Sequence, residues 1–294
     1  MKYKIEDVRN FWDKNCMNYD FLEEHTQIKE GSPEFFRRID NVLFNAAKFN
    51  EKEEIPFGRI IPFKKIRNKK VLEIGCGMGS VSQLMALHNA EVTAIDLTPR
   101  AVKNTRKRFE LLKKKYKKLE NLKKCRILEA NAEKLPFKDS EFDFVLSWGV
   151  IHHSPNTQKC LDEIFRVLKK GGITSGMVYQ KNSIVYYGHF MLLRGVFMGK
   201  LLKYTPEQLA NRYSDWHQKG GCAKAEHFTK KEWKKMMMKS GFKEKNILLT
   251  LASETSDIYP PGTRKVLNKI IPRQIPYALF KLCGWFLVWD KTKK

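Results

Sequence analysis

Between Val71 and Gly172 the chain alternates short apolar runs with longer amphipathic stretches. Val71–Gly75, Glu91–Asp96, Cys125–Ala130, Phe142–Ser147 and Ile173–Tyr179 read as strands. Apolar residues predominate in them. Ser80–His88 and Arg100–Lys124 read as helices between them. In the longer one, Val102, Thr105, Phe109, Leu112, Tyr116 and Leu119 recur at 3-4-3-4-3 spacing and form one buried stripe, with lysines on the other faces. Leu161–Lys170 reads as a helix stopped by Gly171-Gly172. Strands separated regularly by helices predict an α/β fold with a doubly wound, mostly parallel sheet.

The pattern changes on either side. Residues 1–69 read as mostly helical, a cap with breaks at Gly31-Ser32-Pro33, Pro56 and Pro62. Beyond the core of residues 70–180, Ile184–Tyr204 is apolar but interrupted by His189, Arg194 and Lys200. Residues 181–228 therefore form an insert after the fifth strand. Residues 229–294 complete the sheet: a helix at Glu232–Ser240 closed by Gly241, and strands at Phe242–Ala252 and Trp285–Trp289. Ser253–Gly284 reads as loops around Pro260-Pro261, Pro272 and Pro276.

Composition narrows the partners. The 294 residues carry 56 Lys+Arg and 32 Asp+Glu, a formal +24. Such an excess suggests a polyanion or an acidic membrane. It is uneven: residues 71–180 account for +7 and residues 181–294 for +14. No run is long enough for a spanning helix, and Met1–Asn10 has no apolar signal region. The six cysteines (Cys16, Cys76, Cys125, Cys160, Cys222, Cys283) are far apart and lack zinc-ligand spacing. A cytoplasmic chain with reduced thiols and no metal is the expectation.

The sharpest motif is Val71-Leu72-Glu73-Ile74-Gly75-Cys76-Gly77-Met78-Gly79, a strand running into three glycines and then a helix. Glycines there let a ligand approach the backbone. The third glycine comes one residue too early for a dinucleotide fingerprint, and Glu73 suits a cationic amine. Asp96 closes the second strand, where a carboxylate can accept from two ribose hydroxyls. Asn131-Ala132-Glu133 follows the third strand and could read an adenine edge; Ser147-Trp148-Gly149 ends the fourth. All four segments fall at carboxyl ends of parallel strands, where open α/β sheets bind ligands.

These residues resemble the class I S-adenosylmethionine-dependent methyltransferases of the type 11 group, which includes ubiquinone/menaquinone-biosynthesis methyltransferases. The similarity is strong over Lys70–Gly172 and looser at Phe228–Phe242; Val8–Asp13 is similar to openings in this group. The resemblance implies a seven-stranded sheet with an antiparallel last strand, and S-adenosylmethionine as cofactor. It implies that Glu73, Gly75, Cys76, Gly77 and Gly79 hold the methionine part. Asp96 would bind the ribose, Leu97 lie beside the adenine, and Asn131 and Ala132 bind its edge. Ser147 and Trp148 would close around the methionine moiety. Relatives often carry Asp at the position of Asn131; Asn keeps an oxygen acceptor without the charge.

Methyl transfer from a sulfonium depends on alignment, and a base is needed only if the acceptor loses a proton. His153, then His152, are the candidate bases after the fourth strand; Tyr179 faces the acceptor side, and Tyr19 lies in the cap. The expected acceptor is small and apolar or membrane-proximal, methylated at carbon or oxygen. Contact of the basic, apolar carboxyl third with an anionic membrane is a further expectation. A tRNA or rRNA methyltransferase is the alternative, although Ser-Trp-Gly-Val replaces the Asn/Asp-Pro-Pro-Tyr/Phe run of base N-methylation. A non-catalytic relative acting through partners is the third reading.

Overall fold

The computed structural model describes residues 3–16, 28–46, 55–183, 185–214, 222–244, 248–252 and 286–293. Tyr19, Cys283 and the loops expected over Ser253–Gly284 lie outside the described residues. The helices are α1 Ile5–Lys14, α2 Pro33–Ala46, α3 Phe63–Ile66, α4 Ser80–Leu87, α5 Pro99–Lys115, α6 Asn121–Lys124, α7 Thr157–Val167, α8 Pro206–Ser214 and α9 Lys230–Lys239. The strands are β1 Lys70–Ile74, β2 Glu91–Asp96, β3 Arg126–Glu129, β4 Phe142–Trp148, β5 Leu168–Gln180, β6 His227–Phe228, β7 Leu248–Ala252 and β8 Phe286–Thr292.

Seven strands run in the order β3-β2-β1-β4-β5-β8-β7, and the two-residue β6 pairs with β5 as an eighth. The first five are mutually parallel. β8 runs antiparallel to both neighbours. This is the doubly wound sheet expected, with the short β6 added. Strand order reverses between β1 and β4, so the crevice for a ligand opens at their carboxyl ends.

Two apolar layers cover the sheet. One packs Val71, Val92, Phe144 and Leu146 against α3, α4 and α5. The other packs Leu72, Ile74 and Val145 against α7 and α9. Trp233 of α9 meets Trp289 of β8 at 4.9 Å, both fully buried.

The helix expected over Arg100–Lys124 is divided. α5 starts at the Thr98 cap, whose Oγ1 accepts from Ala101 N–H. It ends at Lys115, and Tyr116 leaves helical geometry. The cause lies further on. Asn121 donates to the carbonyls of Ala86 and Ala90, and buried Leu122 turns the chain back toward β3. Val102, Thr105, Phe109 and Leu112 are buried as the stripe predicts, while Tyr116 and Leu119 are half-buried. Lys113–Lys115, Lys117 and Lys118 are all exposed.

Gly171-Gly172 does not stop a helix. α7 ends at Val167 and Leu168 already pairs with Phe142. The register then jumps to Phe144 opposite Ile173, so the glycines belong to a bulge in β5. Lys293 supplies the missing cap, donating from Nζ to the carbonyls of Phe165 and Leu168.

The insert holds the least legible element. Val185–Phe197 is a π-helix, whose i→i+5 hydrogen bonds give a wider turn than the α-helix. Its buried residues Tyr186, Phe190 and Gly195 recur at intervals of four and five. A search for the α-helical period cannot find that spacing. A Cβ on Gly195 would stand 2.8 Å from Leu201, so only glycine permits this approach.

Candidate active site

Three loops meet at the carboxyl edge of β1, β2 and β4. The glycine loop turns back on β2 through Gly75 and Cys76 N–H groups, which donate to the carbonyl of Ile95. Gly75, Gly77 and Gly79 all take positive φ. Gly75 and Gly79 are also needed for space. A Cβ at Gly75 would lie 2.2 Å from Val150, and one at Gly79 2.9 Å from Thr105. Gly77 differs, since nothing lies within 4 Å of a Cβ placed there. Its Cα side faces open space. The Cys76 thiol is buried against Thr105, and burial pushes it well above the usual thiol range. What Cys76 offers a ligand is therefore backbone.

Asp96 bridges β2 to this loop. Its Oδ2 accepts from Gly77 N–H at 3.0 Å, and its Oδ1 accepts from Thr98 N–H and Oγ1. Burial raises its pKa, and these donors oppose the rise. Glu73, 3% exposed, accepts from the Ser82 hydroxyl. Burial pushes its carboxyl up to about 8. Ser147 is fully buried, and its hydroxyl has no partner among the described residues. Trp148 meets Phe57 edge-on at 5.2 Å. Asn131 follows β3, and its Oδ1 accepts from Glu133 N–H at 2.9 Å. That oxygen is thus also the anchor of an Asx turn. Leu97 and Ala132 are half-buried beside it.

The cap covers this edge. Arg9 of α1 donates to the carbonyl of Leu97 and pairs with Glu129 at 2.5 Å. Behind the loop, Arg108 of α5 is 1% exposed. It donates to the carbonyl of Met78, to both Asp40 oxygens at 2.8 Å, and to Ser80 and Gln83. Its guanidinium also lies 4.4 Å from the Phe36 ring centre. This clasp ties α2 to the glycine loop. Sequence reading missed it because Arg108 sits beside Phe109 among lysines and looks like another solvated base.

His152 and His153 lie in a 3₁₀ turn directly after β4. His153 Nδ1 is 2.6 Å from the carbonyl of Lys224. A carbonyl only accepts, so Nδ1 carries the proton in this contact. His152 is fully buried with neither ring nitrogen hydrogen-bonded among the described residues. Burial, reinforced by neighbouring positive groups, pushes its pKa well below the usual range. It stays neutral. Tyr179, at the end of β5, packs 4.2 Å from His152 and stacks on His227 at 5.4 Å. Trp12 of α1 meets His153 edge-on at 4.8 Å. The sequence placed His152, His153 and Tyr179 here. It did not find His227, Lys224 or Trp12, which arrive from distant segments without a local pattern.

A strand–glycine loop–helix, an acid closing β2 and a strand order reversing at that point together form the ligand-binding edge of a doubly wound sheet. Residues 72–175 match the family model described as a methyltransferase domain. The chain is 33% identical over 105 residues to a sterol 4-C-methyltransferase of Caenorhabditis elegans, covering 36% of this chain and 29% of that protein. It is 26% identical over 262 residues to a demethylmenaquinone methyltransferase of Chlorobaculum tepidum, covering 86% and 90% respectively. Among solved structures, a methyltransferase in complex with the Haloferax volcanii Trm112 methyltransferase activator superposes with TM-score 0.55 at 15% identity, over 91% of this chain and 99% of that one. Several curated relatives are matched over less than two thirds of their length.

The methyltransferase-domain match over residues 72–175 implies S-adenosylmethionine as cofactor, and the residues fit it. Gly77 leaves its Cα side open to a ligand, the Ser147 hydroxyl is buried without a partner among the described residues, and two carboxyl groups, Glu73 and Asp96, suit an amine and a pair of hydroxyls. When bound, the cofactor supplies an electrophilic methyl group on a sulfonium.

Proposed function

We propose that the protein transfers a methyl group from S-adenosylmethionine to a small apolar acceptor, at carbon or oxygen. One observation carries this reading. Gly75 of the glycine loop abuts Val150, and the turn that follows brings His152 and His153 into a cluster with Tyr179, His227 and Trp12. The cluster is aromatic, a surface suited to an apolar acceptor with one polar handle.

Asp96 and Glu73 would hold ribose and amine, with Asn131, Ala132 and Leu97 around the adenine. His153 would take the acceptor's proton on Nε2, its tautomer held by the carbonyl of Lys224. Trp12 and Tyr179 would keep water from the reacting atoms. The relatives named for a sterol and for demethylmenaquinone support an apolar acceptor. Tritiated methyl transfer into fractionated cell extract tests the reading. Label is expected in the lipid-soluble fraction, dependent on His153. Label confined to RNA or polar metabolites would overturn the acceptor class.

A further inference from the structure

Eight of the ten exposed large hydrophobic side chains among the described residues fall between Tyr187 and Leu202. Phe197 is 75% exposed and Leu202 95%. Concentration of this kind, rather than single exposed apolar residues, marks an interaction surface. The π-helix makes it one surface. One edge buries Tyr186, Phe190 and Gly195, while Leu192, Leu193, Val196 and Phe197 stand exposed. Gly199 takes φ +65° and turns the chain into the short 3₁₀ segment Lys200–Leu202.

The same stretch is basic. From Lys181 to Ser214 there are five Lys or Arg and one acid, Glu207. Arg194, Lys200, Lys203 and Arg212 surround the apolar residues in sequence, and Lys203 and Arg212 are exposed. A second copy of the chain would bring like charges together on such a face. No helix among the described residues is long and apolar enough to cross a bilayer. Apolar side chains beside lysines, on an element too short to span, are what an interfacial segment requires.

We propose that the outer face of residues 187–203 docks on the surface of an anionic lipid bilayer. The proposal rests on the apolar-acceptor reading only for its purpose. The inner edge of the same helix places Tyr186 5.2 Å and Phe190 6.3 Å from the His227 ring, which belongs to the aromatic cluster around His152 and His153. Docking would thus set that cluster one helix away from the lipid in which an apolar acceptor dissolves.

Vesicle co-sedimentation, without cofactor or acceptor, tests the surface independently of methyl transfer. The full chain is mixed with vesicles of phosphatidylcholine, or of phosphatidylcholine with phosphatidylglycerol. Binding to the anionic vesicles is expected to be at least about tenfold tighter. The double variant Phe197→Ser/Leu202→Ser should lose about tenfold or more on anionic vesicles. Lys200→Gln/Lys203→Gln should lose most of the preference for anionic lipid. Both pairs are judged after confirming an unchanged unfolding temperature. No sedimentation with anionic vesicles would overturn the proposal. So would binding equal to wild type in both variants, or a wild-type dimer that the first pair converts to monomer.

Discussion

Replacing Glu73 by Gln isolates the cost of holding a carboxyl group inside the carboxyl edge of β1. The side chain is 3% exposed and accepts from the Ser82 hydroxyl. Burial first, with the Asp96 charge adding to it, raises its pKa from 4.5 to about 8 against the Ser82 hydrogen bond. Between those values the folded chain holds a proton that the unfolded chain has lost. Stability therefore falls as pH rises through that window. Below it both states are protonated and Glu73 contributes nothing; above it both are ionised and the whole penalty is present. At about 1.4 kcal/mol per pH unit, the upper bound is roughly 5 kcal/mol. Gln keeps the shape and can still hydrogen-bond Ser82, but cannot ionise. Urea unfolding without cofactor, at about pH 5, pH 7 and pH 9, should show the variant gaining on wild type by a few kcal/mol across the series. A difference that stays constant over that range would refute the assignment of a buried, protonated carboxyl.

Other outcomes follow from the same geometry. Gly75→Ala drives a methyl into Val150 at a positive φ, and should cost about 2–4 kcal/mol in urea unfolding. Gly77→Ala meets no neighbour and should cost only about 1–2 kcal/mol, while weakening S-adenosylmethionine in calorimetry. Burial holds the His227 pKa down at about 3, so the unfolded chain binds a proton there that the folded chain refuses. Stability is then lost as pH falls from about 6.5 toward 3, and His227→Gln should flatten that part of the stability–pH curve. Asp40→Asn removes the carboxylate facing the buried Arg108 guanidinium, and should cost about 2–4 kcal/mol in urea unfolding; Asp40→Leu/Arg108→Met together should cost less than Asp40→Leu alone.

The parallel sheet was legible because its central strands are largely buried and rich in apolar residues, and because glycines and acids punctuate their carboxyl ends. Glu73, Asp96 and Ser147 could be placed for the same reason: each sits within a residue or two of a strand end whose position the pattern sets. Elements held by single long-range contacts were not legible. The end of α5 depends on Asn121 reaching the carbonyls of Ala86 and Ala90. The bulge in β5 depends on the register with Phe142 and Phe144. His227 and Lys224 reach Tyr179 and His153 from the far side of the insert, where β6 is two residues long and has no period to detect. The π-helix failed for a geometric reason, since its buried positions recur at four and five.

The central claim is that the edge formed by the glycine loop and Asp96 binds S-adenosylmethionine. Calorimetric titration of the cofactor into the wild-type chain and into Asp96→Ala tests it directly. Saturable one-to-one binding is predicted for wild type, with at least about a tenfold loss in the variant, the scale of removing a charge-assisted pair of hydrogen bonds. Absence of binding to wild type, or equal affinity in the two, would contradict the account.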